Sequence, residues 1–219
     1  KIFDLNAQDQ YNDPGRPVMT STPSGDRVAV QDGDYIYLRG SGSSPEGDRP
    51  FIDRFNLRNG QVRRLFQCDR GVYETFISFY GQNKSEIITS FESPTTPPNY
   101  YLVNLKTKKR TALTSFPDPA PQLTAAKRQL VKYKRNDGVE LSGFLYLPPD
   151  YQEGQRLPLV VWAYPMEYND PSTAGQVRGS PYRFTFYRGA SQLFYLTQGY
   201  AVLDNAQMPV VGDPKTMND

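Results

Sequence analysis

Residues 157–180 read LPLVVWAYPMEYNDPSTAGQVRGS, an apolar run that breaks abruptly into a polar loop marked by Gly and Pro. Leu159, Val160, Val161, Trp162 and Ala163 are apolar without alternation. Such a run predicts a strand covered on both faces in a mostly parallel sheet, although a buried helical turn reads the same way over so few residues. Pro158 and Pro165 on either side favour the strand. Tyr164 then falls at the carboxyl end of that strand, at the edge of an open α/β sheet where ligands bind, with a hydroxyl that can donate a hydrogen bond. It is the first candidate for chemistry.

Working outward, the residues after Tyr164 predict a long loop from Pro165 to about Arg188. A short helix follows from Ser191 to Gln198, with Ser191 as N-cap and Gly199 past its end, and then an apolar strand from Tyr200 to Leu203. Strand, helix, strand predicts a right-handed crossover onto a parallel neighbour. Upstream, Leu130 to Lys134 and Val139 to Leu147 predict a hairpin about Asn136-Asp137-Gly138, ended by Pro148-Pro149. Val139, Leu141, Leu145 and Leu147 alternate onto one face. The chain stops at Asp219, after what reads as only the opening strands of an α/β sheet.

The first half has a different texture. Lys1 to about Asn12 reads as an entering loop or partial strand, and Asp13-Pro14-Gly15 as a turn. From Arg27 to about Phe116, short runs rich in Val, Ile, Tyr and Phe recur between Gly, Pro, Asn and Ser. They are Arg27 to Val30, Tyr35 to Leu38, Ile52 to Leu57, Gln61 to Phe66, Tyr73 to Phe79, Glu86 to Phe91, Tyr100 to Leu105 and Arg110 to Leu113. A weak repeat matches Phe55-Asn56-Leu57 with Val103-Asn104-Leu105, and Leu65 with Leu113, at a constant offset of about 48 residues, a period typical of propeller blades. In each copy a tight turn joins two strands, Arg58-Asn59-Gly60 in the first and Lys106-Thr107-Lys108 in the second. Two copies cannot close a propeller, and a β-sandwich with a chance match is the alternative. Pro117, Pro119 and Pro121 read as an extended linker, with a domain boundary near Leu123.

Composition narrows the function classes. With 219 residues, 37% hydrophobic and 13% aromatic, the chain can build a core. Lys+Arg 25 against Asp+Glu 23 leaves a net charge of +2, too balanced for nucleic acid or an acidic membrane surface as the main partner. The basic run Lys106, Lys108, Lys109, Arg110 reads as a solvated turn. The one cysteine, Cys68, excludes an intrachain disulfide and any multi-cysteine metal site. Zero histidines exclude a complete Ser-His-Asp triad and histidine-ligated zinc within this chain. The chain begins Lys-Ile-Phe, without an initiator Met, a signal peptide or an apolar run that could span a membrane, and is expected to be a piece of a longer protein.

A β-rich region with a blade-like repeat, a Pro-rich linker, a hairpin ending in Leu-Tyr-Leu-Pro-Pro and a strand ending in Tyr-Pro follow one another in an order that resembles the prolyl oligopeptidase family of serine peptidases. The stretches Asp137-Gly138-Val139 with Leu145-Tyr146-Leu147-Pro148-Pro149, Tyr164-Pro165, Ala174-Gly175-Gln176-Val177-Arg178-Gly179-Ser180-Pro181, and Gly40-Ser41-Gly42 with Pro45-Glu46-Gly47 are similar to its glutamyl endopeptidase branch. Lys1-Ile2-Phe3-Asp4 and Asp13-Pro14-Gly15 fit it too. The resemblance implies the C-terminal blades of a β-propeller over residues 1–123, followed by the N-terminal part of an α/β-hydrolase domain over residues 124–219. It implies peptide substrates, cleavage by Ser-His-Asp acyl transfer after glutamate, no metal or cofactor, and a periplasmic or organellar setting. It says nothing of the oligomeric state.

In full members the serine sits in a Gly-x-Ser-x-Gly elbow, followed by the Asp and the His, and the resemblance places all three beyond Asp219. Gly189-Ala190-Ser191-Gln192-Leu193 lacks the second glycine and precedes a helix, so Ser191 reads as a cap. The resemblance implies that Tyr164 donates its hydroxyl to the oxyanion. The alternative is a strand-end tyrosine with its hydroxyl in water. A glutamate-specific pocket needs a cation, and a guanidinium matches a carboxylate by two parallel hydrogen bonds. Arg178 is the first candidate for substrate binding and Arg183 the second, against the alternative that Arg178 pairs internally, for example with Glu167. Tyr168, Tyr182, Phe184, Phe186 and Tyr187 either wall a pocket or pack against the first half. Rival readings are a non-catalytic propeller module that binds peptides or glycans, and an esterase of the hydrolase fold.

Overall fold

Turn residues divide the first half of the chain into strands short enough to form antiparallel meanders. The structure, a computed structural model, describes residues 2–213 and residue 215; Lys1 and the chain end at Asp219 lie outside the described residues. Its first strands are β1 (Arg16–Pro17), β2 (Met19–Ser21), β3 (Arg27–Ala29), β4 (Gln31–Asp32), β5 (Tyr35–Gly40), β6 (Phe51–Asn56) and β7 (Val62–Gln67). Next come β8 (Tyr73–Tyr80), β9 (Glu86–Ser93), β10 (Thr96–Asn104) and β11 (Arg110–Ala112). All eight runs anticipated between Arg27 and Phe116 are strands. One sheet has the order β1-β5-β6-β7, with β4 also on β5, and the next has the order β11-β10-β9-β8. Asp13-Pro14-Gly15 turns as expected, with the Gly15 N–H donating to Asp13 Oδ1 at 2.8 Å. Residues before Arg16 form no strand among the described residues.

The two sheets share one core. Tyr37, Ile52 and Phe66 from the first, with Val18 between β1 and β2, meet Phe76, Ile87 and Val103 from the second. Ile52 and Ile87 are wholly buried, and truncating either to Ala would cost about 2–5 kcal/mol. The blade-like repeat has a geometric counterpart. Asn56, ending β6, accepts on Oδ1 from the Arg58 N–H (2.8 Å) and the Asn59 N–H (3.3 Å), and its carbonyl accepts from Gly60 (2.9 Å). Asn104, ending β10, does the same with Lys106 (3.1 Å), Thr107 (2.9 Å) and Lys108 (2.8 Å). Each turn closes on a left-handed residue, Gly60 (φ 73) or Lys108 (φ 61). The asparagine side chain, mimicking a backbone turn, holds both.

The expected linker is only partly extended, because Pro121–Thr124 forms one helical turn, α1, with Pro121 at its first position. Asp118 braces it, accepting from the Ala120 N–H and the Thr124 hydroxyl. The second half contains β12 (Lys127–Lys134), β13 (Glu140–Leu147), β14 (Leu159–Tyr168), α2 (Pro171–Ala174), a 3-10 helix (Gln192–Gln198) and β15 (Ala201–Val211). These strands form one sheet of order β12-β13-β15-β14. The hairpin about Asp137-Gly138 is present, with Lys134 opposite Glu140, and β14 and β15 run parallel as the crossover requires.

Several expectations need correction. The β13 alternation is not one-sided: Val139 and Leu141 pack with Tyr168 and Ala174, whereas Phe144 and Tyr146 pack with Leu193, Leu196 and Val202. Leu145 and Leu147 are only part-buried, since both faces of the strand receive cover. The short helix expected after Ser191 is present, as a 3-10 helix. Leu193 and Leu196, its buried residues, are three apart and eclipse in a three-residue turn. Ser191 caps it, its hydroxyl accepting from the Leu193 N–H at 3.2 Å, and Gly199 (φ 78) ends it.

The largest correction concerns β14. It is not covered on both faces: Leu159, Val161, Trp162 and Met166 are exposed, and Tyr164 is 81% exposed. The strand lies at the edge of the sheet, bonded to β15 alone among the described residues. Nor does it end at Tyr164, since it continues through Pro165 to Tyr168. An edge strand accommodates a proline because its open side needs no N–H donor.

Candidate functional site

The site is built around an irregularity between β14 and β15. Val161 lies opposite Leu203 but Ala163 lies opposite Ala206, so β15 holds one residue more than β14 there. Asn205, within the extra stretch, has a left-handed backbone (φ 49). Such a bulge bends a strand and re-aims the residues that follow. Beyond it Tyr164 is the register partner of Gln207.

The bulge also ends the ladder on the other side of β15, where pairing with β13 stops at Phe144 opposite Asp204. Gly143 lets the two strands approach closely, because a Cβ there would stand 2.9 Å from the Leu203 side chain and 3.2 Å from Ala206 Cα. Past the last ladder pair, Gln207 Oε1 accepts from the Ser142 N–H at 2.8 Å, and Gln207 Nε2 donates to the Gln176 carbonyl at 2.7 Å.

That second bond reaches the loop after β14, which is anchored at many points. Asp170 caps α2, accepting from the Ser172 N–H at 2.8 Å. The buried Gln176 side chain accepts from the Gln10 N–H (2.7 Å) and donates to Asp9 (2.8 Å). The Val177 N–H donates to the Tyr11 hydroxyl (2.8 Å), and the Gly179 carbonyl accepts from the Asp48 N–H (2.8 Å). The loop is thereby stitched to the entering segment and to the first half of the chain. Burial raises the Asp48 carboxyl above its ordinary range, against the downward pull of the Ser43 hydroxyl and of Arg183 and Arg178.

Tyr164, Met166, Tyr168, Arg178, Gly179 and Gln207 help line one cavity of about 310 Å³. Two of the three residues singled out from the sequence therefore meet. The Arg178 guanidinium lies over the Tyr168 ring, 5.4 Å from its centroid. Its Nε is buried without a hydrogen-bond partner among the described residues. The alternative partner, Glu167, is exposed, and no ion pair joins the two among the described residues. A cation held by an aromatic face at the wall of this cavity can attract a carboxylate into it.

Arg183 lies elsewhere and does not line that cavity. Its Nε donates to Glu92 Oε1 at 3.0 Å, and the other oxygen of this buried carboxylate accepts from the Phe184 N–H at 3.1 Å. The guanidinium also covers the Tyr73 ring at 4.9 Å. Of the five loop aromatics, Tyr168 alone lines the Tyr164 cavity. Phe184 packs edge-on against Phe186 at 4.9 Å. Tyr187 donates to the Leu123 carbonyl at 3.0 Å, and burial pushes its phenol up to about 12. Gln207, Gln176 and Met166 were not anticipated. The one signal for Gln207 is a carboxamide inside the mostly apolar stretch 206–211.

No family model matches the chain. Over 97% of its length it is 38% identical to a probable glutamyl endopeptidase, chloroplastic, of Oryza sativa subsp. japonica, and 34% identical to one of Arabidopsis thaliana. In each case it spans about a quarter of the relative's length (24%). Among solved structures, dipeptidyl peptidase 4 of Porphyromonas gingivalis superposes with a TM-score of 0.52 at 16% identity, over 90% of this chain and 29% of that one. The sequence matches run almost end to end along the chain, so it is similar throughout to a stretch of two glutamyl endopeptidases, and it shares its arrangement of sheets with a solved dipeptidyl peptidase.

Proposed function

We propose that the chain is part of a serine peptidase that cleaves peptide bonds after glutamate. The observation that carries this reading is the meeting of Tyr164 and Arg178 in one cavity at the β14–β15 bulge. Tyr164 donates its hydroxyl to the oxyanion of the tetrahedral intermediate, where one preorganised donor contributes about 3 kcal/mol. Arg178 receives the glutamate carboxylate through two parallel hydrogen bonds from its terminal guanidinium nitrogens. Arg183, tied to Glu92, braces the loop that presents Arg178. The nucleophile, its histidine and its aspartate come from outside these 219 residues, so the chain alone has no turnover.

In this reading residues 1–123 are blades of a β-propeller, which the matching Asn56 and Asn104 turns support. Residues 124–219 begin an α/β-hydrolase sheet, which the parallel β14–β15 pair supports. The exposed apolar side chains of β14 suit a strand covered by the remainder of the domain in a parent about four times as long as this chain. The propeller restricts entry to short or unfolded peptides.

A fluorophosphonate probe applied to the full-length parent tests the class, because only an activated serine reacts. Labelling, together with cleavage of a glutamate peptide, is expected. An unlabelled parent that binds peptides or glycans would replace this reading by the non-catalytic module, and turnover of esters but not peptides would make it an esterase.

A further inference from the structure

Both ends of the Gln207 carboxamide are engaged, and its two bonds join three parts of the site. The bond from the Ser142 N–H supplies β13 with the partner that the bulge at Asn205 removes from the ladder. The bond to the Gln176 carbonyl fixes the backbone two residues before Arg178. Gln207 is also the register partner of Tyr164. The Arg178 segment therefore cannot shift relative to Tyr164 without breaking the Gln207–Gln176 bond. From the far side the same segment is held by Asp9, Gln10 and Tyr11.

We infer that Gln207 is a positioning residue that sets the spacing between Arg178 and Tyr164, and through it the recognition of an acidic side chain before the scissile bond. This rests on the peptidase reading above. Gln207 acts through the loop rather than on substrate, since its oxygen and nitrogen both serve the backbone.

The test uses the full-length parent and paired peptides with Glu or Gln before the scissile bond. Gln207→Met keeps the side-chain length and removes both bonds; Gln207→Glu keeps the acceptor for Ser142 and loses the bond to Gln176. For either variant, KM for the Glu peptide is expected to rise about five- to tenfold, with kcat within about twofold and the Gln peptide unaffected. Amide hydrogen exchange over residues 176–179 is expected to quicken about tenfold while the core strands keep their protection. In an Arg178→Met background, Gln207→Met is expected to add nothing, as for two residues acting as a unit.

If Arg178→Met abolishes the preference for glutamate while Gln207→Met leaves KM and exchange unchanged, the positioning role is overturned. Equal loss of kcat on both peptides by both Gln207 variants, with a lowered Tm, would overturn it in favour of a purely structural role. If Arg178→Met itself leaves the preference intact, the acidic-specificity reading has failed instead.

Discussion

Arg178 lies over the ring of Tyr168 at 5.4 Å, and its buried Nε has no hydrogen-bond partner among the described residues. Arg183, five residues on, is held by Glu92 at 3.0 Å. Two guanidiniums in one loop thus have different surroundings: Arg183 is paired with a buried carboxylate, and Arg178 rests on an aromatic ring with its Nε unbonded among the described residues.

Replacing Arg178 by Met keeps the stem that packs on Tyr168 and removes the charge. In the parent, kcat/KM for a peptide cleaved after Glu is expected to fall about a hundredfold or more, and for the matching Gln peptide by less than about threefold. Competition between the two peptides in one reaction reads the ratio directly.

Glu92→Gln removes the negative charge that Arg183 and the Phe184 N–H share. Glu92 is buried, but the Arg183 side chain is about half exposed. Discounted for that exposure, the loss of stability is expected to be about 1–2 kcal/mol, seen as a lower denaturation midpoint with an unchanged slope. An unchanged midpoint would show that the loop does not depend on this pair.

The strands of the first half were legible because each is a short alternating run closed by turn residues. Asn56 and Asn104 could be matched before their turns were seen, since the asparagine that makes the turn is local in sequence. What lay out of reach was everything fixed by distant residues. The run from Leu159 to Ala163 is apolar whether a strand is central or at an edge, so its exposure could not be read from it. The bulge at Asn205 leaves no pattern, and it is the bulge that puts Tyr164 opposite Gln207. Arg183 and Glu92 are ninety-one positions apart, and nothing local to either names the other.

The exposed edge of β14 carries a consequence for the isolated chain. Leu159, Val161, Trp162 and Tyr164 stand exposed along a strand whose outer edge has no partner strand among the described residues, and such edges pair with other copies. The 219 residues alone are expected to sediment as oligomers at micromolar concentration. A stable monomer would argue that this face is closed in a way the reading does not contain.

Asp48 gives a pH dependence whose sign is fixed. Its carboxyl is raised in the folded state, chiefly by burial, above the unfolded value of 3.8. The folded state therefore holds the proton more tightly, and the favourable contribution of this group is lost as pH rises through its folded value. Asp48→Asn removes that loss. Relative to wild type, the variant is expected to gain more stability at about pH 7 than at about pH 4, read by denaturant unfolding of the parent at both. An equal difference at the two pH values would contradict the assignment.

Tyr164→Phe in the parent reads out whether the Tyr164 hydroxyl meets charge that develops only in the transition state. The ring stays, and the side chain is 81% exposed, so the fold survives the loss of one oxygen. With the chemical step limiting on the best glutamate peptide, kcat is expected to drop about a hundredfold or more while KM changes by less than about threefold. Wild-type kcat under those conditions would contradict the account and return Tyr164 to an edge-strand residue with its hydroxyl in water.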